Sequence, residues 1–361
     1  MPITIDHARL LDFVQAVFAS YELDPGDAHL CADNLVAADM RGIPSHGVAR
    51  LKRYTDGIAD GLIFPMNRPL IVTQSVSSAA VDGQAGLGQI VAAFATRLAI
   101  EKAQQTGVGV VTVRNSNHYG IAGYYAQMML DQGLLGVSMT NSAPLVVPTF
   151  GKEMVIGTNP ISLAAPARRH RPFFLDMATS VVPRGKLEVY NRENKSLPTG
   201  WAVGTDGKEC TDASVVLDNM TKRAGGGILP LGGEGELYSG YKGYGLAVLV
   251  DILSGVLSGG SYTDRVYAKK DGKNLPPDVG HFFMALKIEA FIPRDVFLDK
   301  MDDLIDSLTQ SAKAEGQNRI YIHGEKEYER FERYKKEGIP LQEKVYATLK
   351  EIARDRGLAF E

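Results

Sequence analysis

Val108-Gly109-Val110-Val111-Thr112-Val113-Arg114-Asn115-Ser116-Asn117-His118-Tyr119-Gly120 decides how this chain is read. Its first six residues form a short apolar, β-branched run, the composition of a buried strand. Polar residues and His118 follow at the carboxyl end of that strand, where α/β proteins place ligands. A helical segment over 120–130 comes next. The order strand, polar loop, helix predicts an α/β fold. His118 then falls near a helix N-terminus, which lowers a histidine's pKa and keeps the ring neutral until it accepts a proton. The same loop also reads as a set of capping side chains.

Outward from this stretch, short apolar runs alternate with glycine-rich turns. Strands are expected at Leu70–Val72, Ala79–Val81, Leu135–Met139, Ile161–Ala164, Phe173–Leu175 and Phe282–Leu286, with a helix at Ile90–Gln105. That is a mixed sheet with helices. Gly83-Gln84-Ala85-Gly86-Leu87-Gly88 stands between a strand and a helix, which invites a dinucleotide-loop reading. Its order is G-x-x-G-x-G, and no acidic residue stands at a strand end some ~20 positions on, so a standard Rossmann fingerprint is rejected. Gly232-Gly233 and Gly240-Tyr241-Lys242-Gly243-Tyr244-Gly245 lack the G-K-[ST] ending of a phosphate loop and read as turn or packing glycines.

The chain ends are helical. Thr4 or Asp6 is placed to cap a helix carrying Leu10, Leu11, Val14 and Val17, and Asp24-Pro25-Gly26 breaks it. Asp27 starts a second helix, which Arg41-Gly42-Ile43-Pro44 ends. Ser45 then stands where a third helix wants its N-cap. With His46 as first helical residue, Arg50 lies one turn on, on the same face. An imidazole and a guanidinium so placed suit a substrate with a carboxylate beside a reactive carbonyl: the arginine grips the carboxylate and the histidine handles the neighbouring proton. A capped helix with an exposed basic pair has the same spacing. Gly243–Leu257 reads as a buried helix. Arg294 onward carries an apolar stripe through Phe297, Met301, Leu304, Ile305 and Leu308. A short strand near Arg319–Ile322, a charged helix over 325–336 and a last amphipathic helix over 341–356 complete the chain, and the two ends are expected to pack together.

Composition narrows the function. With 39 basic and 42 acidic residues, a net charge of −3 and no long block of one sign, neither nucleic acid nor membrane has electrostatic support as a partner. A small molecule or a second copy of the chain is expected instead. Two cysteines and no signal-like start point to the cytoplasm. The histidines are scattered, without H-x-x-x-H, C-x-x-C or G-x-S-x-G, so neither a metal nor a serine nucleophile is expected. Acid/base chemistry without either fits hydride transfer, in which a cofactor does the hard step.

Several segments together resemble the type-2 malate/L-lactate dehydrogenase family, also described as L-sulfolactate dehydrogenase-like and unrelated to the Rossmann-type enzymes. They include Arg41-Gly42-Ile43-Pro44-Ser45-His46-Gly47, Asn115-Ser116-Asn117-His118-Tyr119-Gly120, Thr140-Asn141-Ser142-Ala143-Pro144 and Gly157-Thr158-Asn159-Pro160. Asp176-Met177-Ala178-Thr179-Ser180, Leu197-Pro198-Thr199-Gly200-Trp201 and Gly240-Tyr241-Lys242-Gly243-Tyr244-Gly245-Leu246 extend the match over nearly the whole chain.

The resemblance implies a non-Rossmann fold with a mixed central sheet and a helical part from both chain ends. It also implies an NAD- or NADP-dependent 2-hydroxy acid dehydrogenase of malate or lactate type, working as a homodimer. Residues 1–75 with 325–361 would be the substrate and dimer part, and 76–324 the cofactor-binding part. His46 and His118 are the implied acid/base candidates, with Ser45 and Arg50 holding substrate. Cofactor contacts are implied at Ser142, Asp176, Met177, Ala178, Leu231, Gly232, Gly324 and Glu325. Two departures stand out: His323-Gly324-Glu325 replaces the family's Pro-Gly-Glu, and Asp264–Pro277 is a longer, more polar loop, readable as a dimer or lid segment. The same scaffold also allows reduction of a cyclic imine acid, a diketo sugar acid or a ureido acid. A histidine-dependent lyase or isomerase and a silent binding protein are rivals of other classes.

Overall fold

The computed structural model describes residues 3–360. After β1 (Ile3–Ile5), Asp6 caps α1 (His7–Ala19) by accepting from the amides of Ala8 and Arg9. Asp24-Pro25-Gly26 does more than break that helix. Asp24 caps α2 (Pro25–Met40) through the Asp27 amide, and Pro25 takes the first-turn position where no N–H is needed.

The third helix starts later than its sequence predicts. Asp39, buried near the end of α2, accepts the Val48 amide at 2.7 Å. A 3₁₀ turn over Val48–Arg50 then leads into α3 (Leu51–Ala59). Ser45 is therefore no N-cap and His46 precedes the helix, because a carboxylate from α2 does the capping. Arg50 still reaches the segment before it: its Nε donates to the Ser45 carbonyl at 2.6 Å.

All the expected apolar runs are strands. They form β2 (Leu70–Gln74), β3 (Ser78–Asp82), β4 (Val108–Ser116), β5 (Leu135–Thr140), β6 (Ile161–Ala165) and β7 (Phe173–Met177). The short pair β8 (Ala202–Val203) with β9 (Gly227–Ile228) and the exposed hairpin β10 (Lys269–Lys270) with β11 (Lys273–Asn274) stand apart from them. With β12 (Val279–Leu286), β2 to β7 complete a seven-stranded sheet in the order β2-β3-β4-β12-β5-β6-β7. β3 and β4 are parallel and the other neighbours antiparallel, so the sheet is mixed. β12 is buried along most of its length, as a strand covered on both faces must be. α4 (Gly88–Thr106) and α5 (Ala122–Leu130) share a core with Val111, Val113, Phe283 and Ala285 of the central strands.

The glycines before α4 explain why they do not make a dinucleotide loop. A Cβ on Gly88 would stand 2.2 Å from the His118 carbonyl oxygen. Asn117 Nδ2 donates to the carbonyls of Ala85 and Gly86 at 3.1 and 3.0 Å. The turn is occupied by the His118 loop, and its glycines let the two backbones touch.

α6 (Arg184–Arg192) and α7 (Ala213–Lys222) build a small satellite core with β8 and β9. α8 (Gly240–Asp251) runs into a π turn over Ile252–Val256 that lies against β12. It is not the buried helix its sequence predicts. Leu246, Leu249, Ile252, Val256 and Leu257 are exposed, while Ala247, Val250 and Asp251 face inward. α9 (Arg294–Thr309) buries Ile305 and leaves Leu304 and Leu308 exposed. The strand expected near Arg319 is absent; there Glu325 accepts the Ile322 amide at 2.9 Å and pairs with Arg319 at 3.1 Å, ahead of α10 (Glu325–Glu337). Finally β13 (Ile339–Leu341) pairs with β1, and α11 (Glu343–Arg356) packs on α1 and α3. The chain ends do come together, around Leu10, Val14, Leu35, Tyr54 and Leu349.

Candidate active site

His46 and His118 arrive from different lobes and meet. Their rings are 5.6 Å apart between centroids and 21° from parallel. The loop after β4 carries His118, and the capped segment before α3 carries His46. Ser45 Oγ lies 3.0 Å from His46 Nδ1. Tyr54, fully buried in α3, places its hydroxyl 2.7 Å from His118 Nδ1, and the Gly120 amide approaches the same nitrogen at 3.3 Å. Each histidine thus has Nδ1 engaged, and among the described residues Nε2 has no protein partner.

Both rings are held neutral. Burial pushes His46 down to about 4, helped by the positive charges of Arg50 and Arg53. His118 is also held well below the ordinary histidine value by burial, then by Arg53, His46 and Arg50. The helix N-terminus expected to do this begins only at Ala122, and burial with arginine is the cause instead.

A cleft of about 120 Å³ gathers Ser45, His46, Arg50, Arg53, His118 and Ser142. It opens on one side into a groove of about 590 Å³ that takes in His46, Asp176, Met177, Ala178 and Gly324. On the other side His118, Arg53 and Tyr267 border a chamber of about 390 Å³, walled by Leu275 and Pro277 of the polar loop. Leu231, Gly232 and Glu325 line none of these cavities. Glu325 is spent on Ile322 and Arg319, and the Leu231 amide donates to the Thr179 carbonyl, just beyond Ala178.

The larger groove fits a nicotinamide dinucleotide. Its volume lies in the range of small-molecule sites. Ile121, Pro160, Phe174 and Met177 give it apolar walls for planar rings, with Arg41 and Lys326 as cations for phosphate. The N-terminus of α5 borders the groove, and its positive end is already met by a carboxylate. Asp176 helps build this wall: one carboxylate oxygen accepts the Gly123 amide at 2.8 Å, and burial raises its pKa to about 6.

Residues that the sequence reading passed over complete the site. Arg53 follows Arg50 by three positions, helical spacing that was a usable signal, whereas Tyr54 at an inward helical position reads as core. His281 sits inside the apolar β12, stacked on Tyr119 at 4.5 Å and bound by Thr140 Oγ1 and Ser116 Oγ at 2.7 and 2.8 Å. It braces the His118 loop from beneath. Among the described residues no cluster is arranged to hold a metal ion.

Two neutral imidazoles beside guanidinia that make no ion pair among the described residues, opening onto a dinucleotide-sized groove on a sheet without a Rossmann loop, suit an oxidoreductase of the 2-hydroxy acid/2-oxo acid class, and the comparisons show that class. The family model described as malate/L-lactate dehydrogenase matches residues 5–350. The chain is 49% identical over 356 residues to malate dehydrogenase of Pyrococcus abyssi, covering 99% of this chain and 96% of that one. It is 39% identical over 348 residues to L-sulfolactate dehydrogenase of Methanocaldococcus jannaschii, covering 96% and 95%. The solved malate dehydrogenase of Pyrococcus horikoshii superimposes with a TM-score of 0.90 at 46% identity, covering 100% of this chain and 97% of that one. The chain belongs to the malate/L-lactate dehydrogenase family, and a nicotinamide cofactor goes with that membership.

Proposed function

We propose that His118 moves the proton in the interconversion of a 2-hydroxy acid and its 2-oxo acid, with malate and oxaloacetate as the first pair to test. The observation that carries this is the Tyr54–His118 contact at 2.7 Å. In the tautomer that takes the hydroxyl proton of a hydroxy acid, Nδ1–H donates to Tyr54 Oη in place of the 3.3 Å contact from the Gly120 N–H, and Nε2 holds the lone pair. In reduction, Nε2–H of the imidazolium returns that proton to the carbonyl oxygen. A bound nicotinamide takes or supplies the hydride. Arg50 grips the substrate's carboxylate, and Ser45 and His46 line the substrate between His118 and the cofactor groove. The arriving carboxylate offsets the arginine charge, which lifts the histidine pKa and lets the ring hold its proton when the reaction needs it. Asp176, Met177, Ala178, Gly324 and Ser142 are assigned to the cofactor side, with Leu231, Gly232 and Glu325 as supports of that wall.

The helical part (1–75 with 325–361) is assigned to substrate and the sheet part (76–324) to cofactor. A homodimer is supported by the outer face of α8 and its π turn. Between Tyr244 and Leu257 the single charged side chain is Asp251, and it is buried. A charge-free apolar row of this kind complements itself across a two-fold axis. On this reading the contact lies on the sheet part, whereas the resemblance implies the helical one. Two free cysteines support a reducing cytoplasm.

The test follows absorbance at 340 nm with NADH and with NADPH, against oxaloacetate and pyruvate. His118→Ala is expected to cut turnover by about 100-fold or more, with His46→Ala also impaired. Wild-type turnover in both variants would remove the acid/base assignment, and no turnover by the native protein would remove the substrate class.

A further inference from the structure

Arg50 and Arg53 stand three residues apart at the start of α3 and line the same small cleft. Among the described residues neither has a carboxylate partner. The neighbouring Arg184, by contrast, is paired with Glu188 at 3.2 Å. Arg50 is partly buried, so its charge wants an anion in place of lost water, whereas Arg53 is exposed at the mouth of the cleft and meets an anion without a large desolvation cost. Arg50 has one donor committed to the Ser45 carbonyl at 2.6 Å and keeps its other nitrogens for ligand. Arg53 is committed to no acid at all. Its Nη2 donates to the Tyr267 hydroxyl at 2.7 Å, and its guanidinium lies 5.8 Å from the centre of that ring. Tyr267 belongs to the polar loop that follows the π turn, so the loop's structural use is to hold Arg53 at the boundary between cleft and outer chamber.

One carboxylate is satisfied by one guanidinium through two parallel hydrogen bonds. A substrate with a single anionic group would engage Arg50 and leave Arg53 without a counterion. We propose that Arg53 takes a second anionic group, a carboxylate or sulfonate on the carbon beyond the reacting one, and that Arg53 thereby makes the site selective for doubly charged 2-oxo and 2-hydroxy acids over singly charged ones. This rests on the placement of substrate at His118 and Arg50 given above. Tyr267 is the positioning residue for Arg53.

The experiment compares kcat/KM for oxaloacetate, 3-sulfopyruvate and pyruvate in the native enzyme, Arg53→Gln and Arg53→Lys. A charge-assisted contact of this kind corresponds to a factor of about 30. The oxaloacetate-to-pyruvate ratio is expected to fall by about that factor in Arg53→Gln, carried mainly by KM, with Arg53→Lys keeping part of it. A fall confined to 3-sulfopyruvate identifies the second group as sulfonate. A parallel loss for all three acids, or unchanged ratios, overturns the proposal. A second readout needs no turnover: the thermal shift of the NADH-loaded protein with malate, which is doubly charged, against lactate, which is singly charged, since neither is oxidised while the cofactor is reduced. Arg53→Gln is expected to lose the malate shift relative to the lactate shift. If the native enzyme reduces none of the three acids, the substrate assignment fails, and persistence of the malate shift in Arg53→Gln overturns the role of Arg53 separately.

Discussion

His118 and His46 are neutral in the free protein for reasons that a ligand can reverse. Burial depresses both, and Arg50 and Arg53 add to it. A depressed pKa keeps the basic form populated in acid, so kcat/KM for hydroxy acid oxidation, which reports the free enzyme, is expected to stay level below pH 6.5, the ordinary histidine value. With substrate bound, its carboxylate cancels part of the arginine charge and the pKa moves up. The acid limb of kcat should therefore lie at higher pH than that of kcat/KM. Coincident limbs in the two profiles would show that arginine charge does not set these values. The place of His118 at a strand end was legible in the sequence, where the loop read equally as a ligand site or a set of capping side chains. Its partner Tyr54 was not, because a tyrosine at an inward helical position reads as core until the loop that it touches is placed. His281 was hidden for the same reason, as one polar residue in an apolar strand.

At the scale of elements, the segment that presents His46 is held from α2. Asp39 is buried, receives the Val48 amide and has its pKa raised by burial to about 7. Gly47 packs so tightly on it that a Cβ would fall 2.1 Å from the carboxylate. Asp39→Ala leaves the Val48 N–H without an acceptor, and a loss of about 1–3 kcal/mol in unfolding free energy is expected from denaturant titration at constant m. An unshifted midpoint would mean that another group takes over the cap. The sheet strands were legible because apolar runs between glycines have few alternatives. The start of α3 was not: Ser45 offers a local cap, and only the fold brings in Asp39 to outcompete it. The strand expected near Arg319 failed on similar grounds, with Glu325 closing that stretch into a helix entry.

For the whole molecule, the proposed homodimer rests on the face of α8. Leu249→Asp with Ile252→Asp is expected to halve the mass measured by light scattering behind size exclusion, as burying two charges in an apolar contact is costly. An unchanged mass would move the contact elsewhere. The sequence hid this face because an apolar stretch of this length reads equally as core, and only the sheet beneath shows which side is left over.

The helix that brings Arg50, Arg53 and Tyr54 to the site leans on α11, encoded at the far end of the chain, and β1 waits for β13. A ribosome reads from the other end. The strands of the sheet and the walls of the cofactor groove are therefore all synthesised before the last support of the substrate arm exists. The arm that carries Arg50, Arg53 and Tyr54 is thus made long before the helix that braces it, and its packing has to wait for α11.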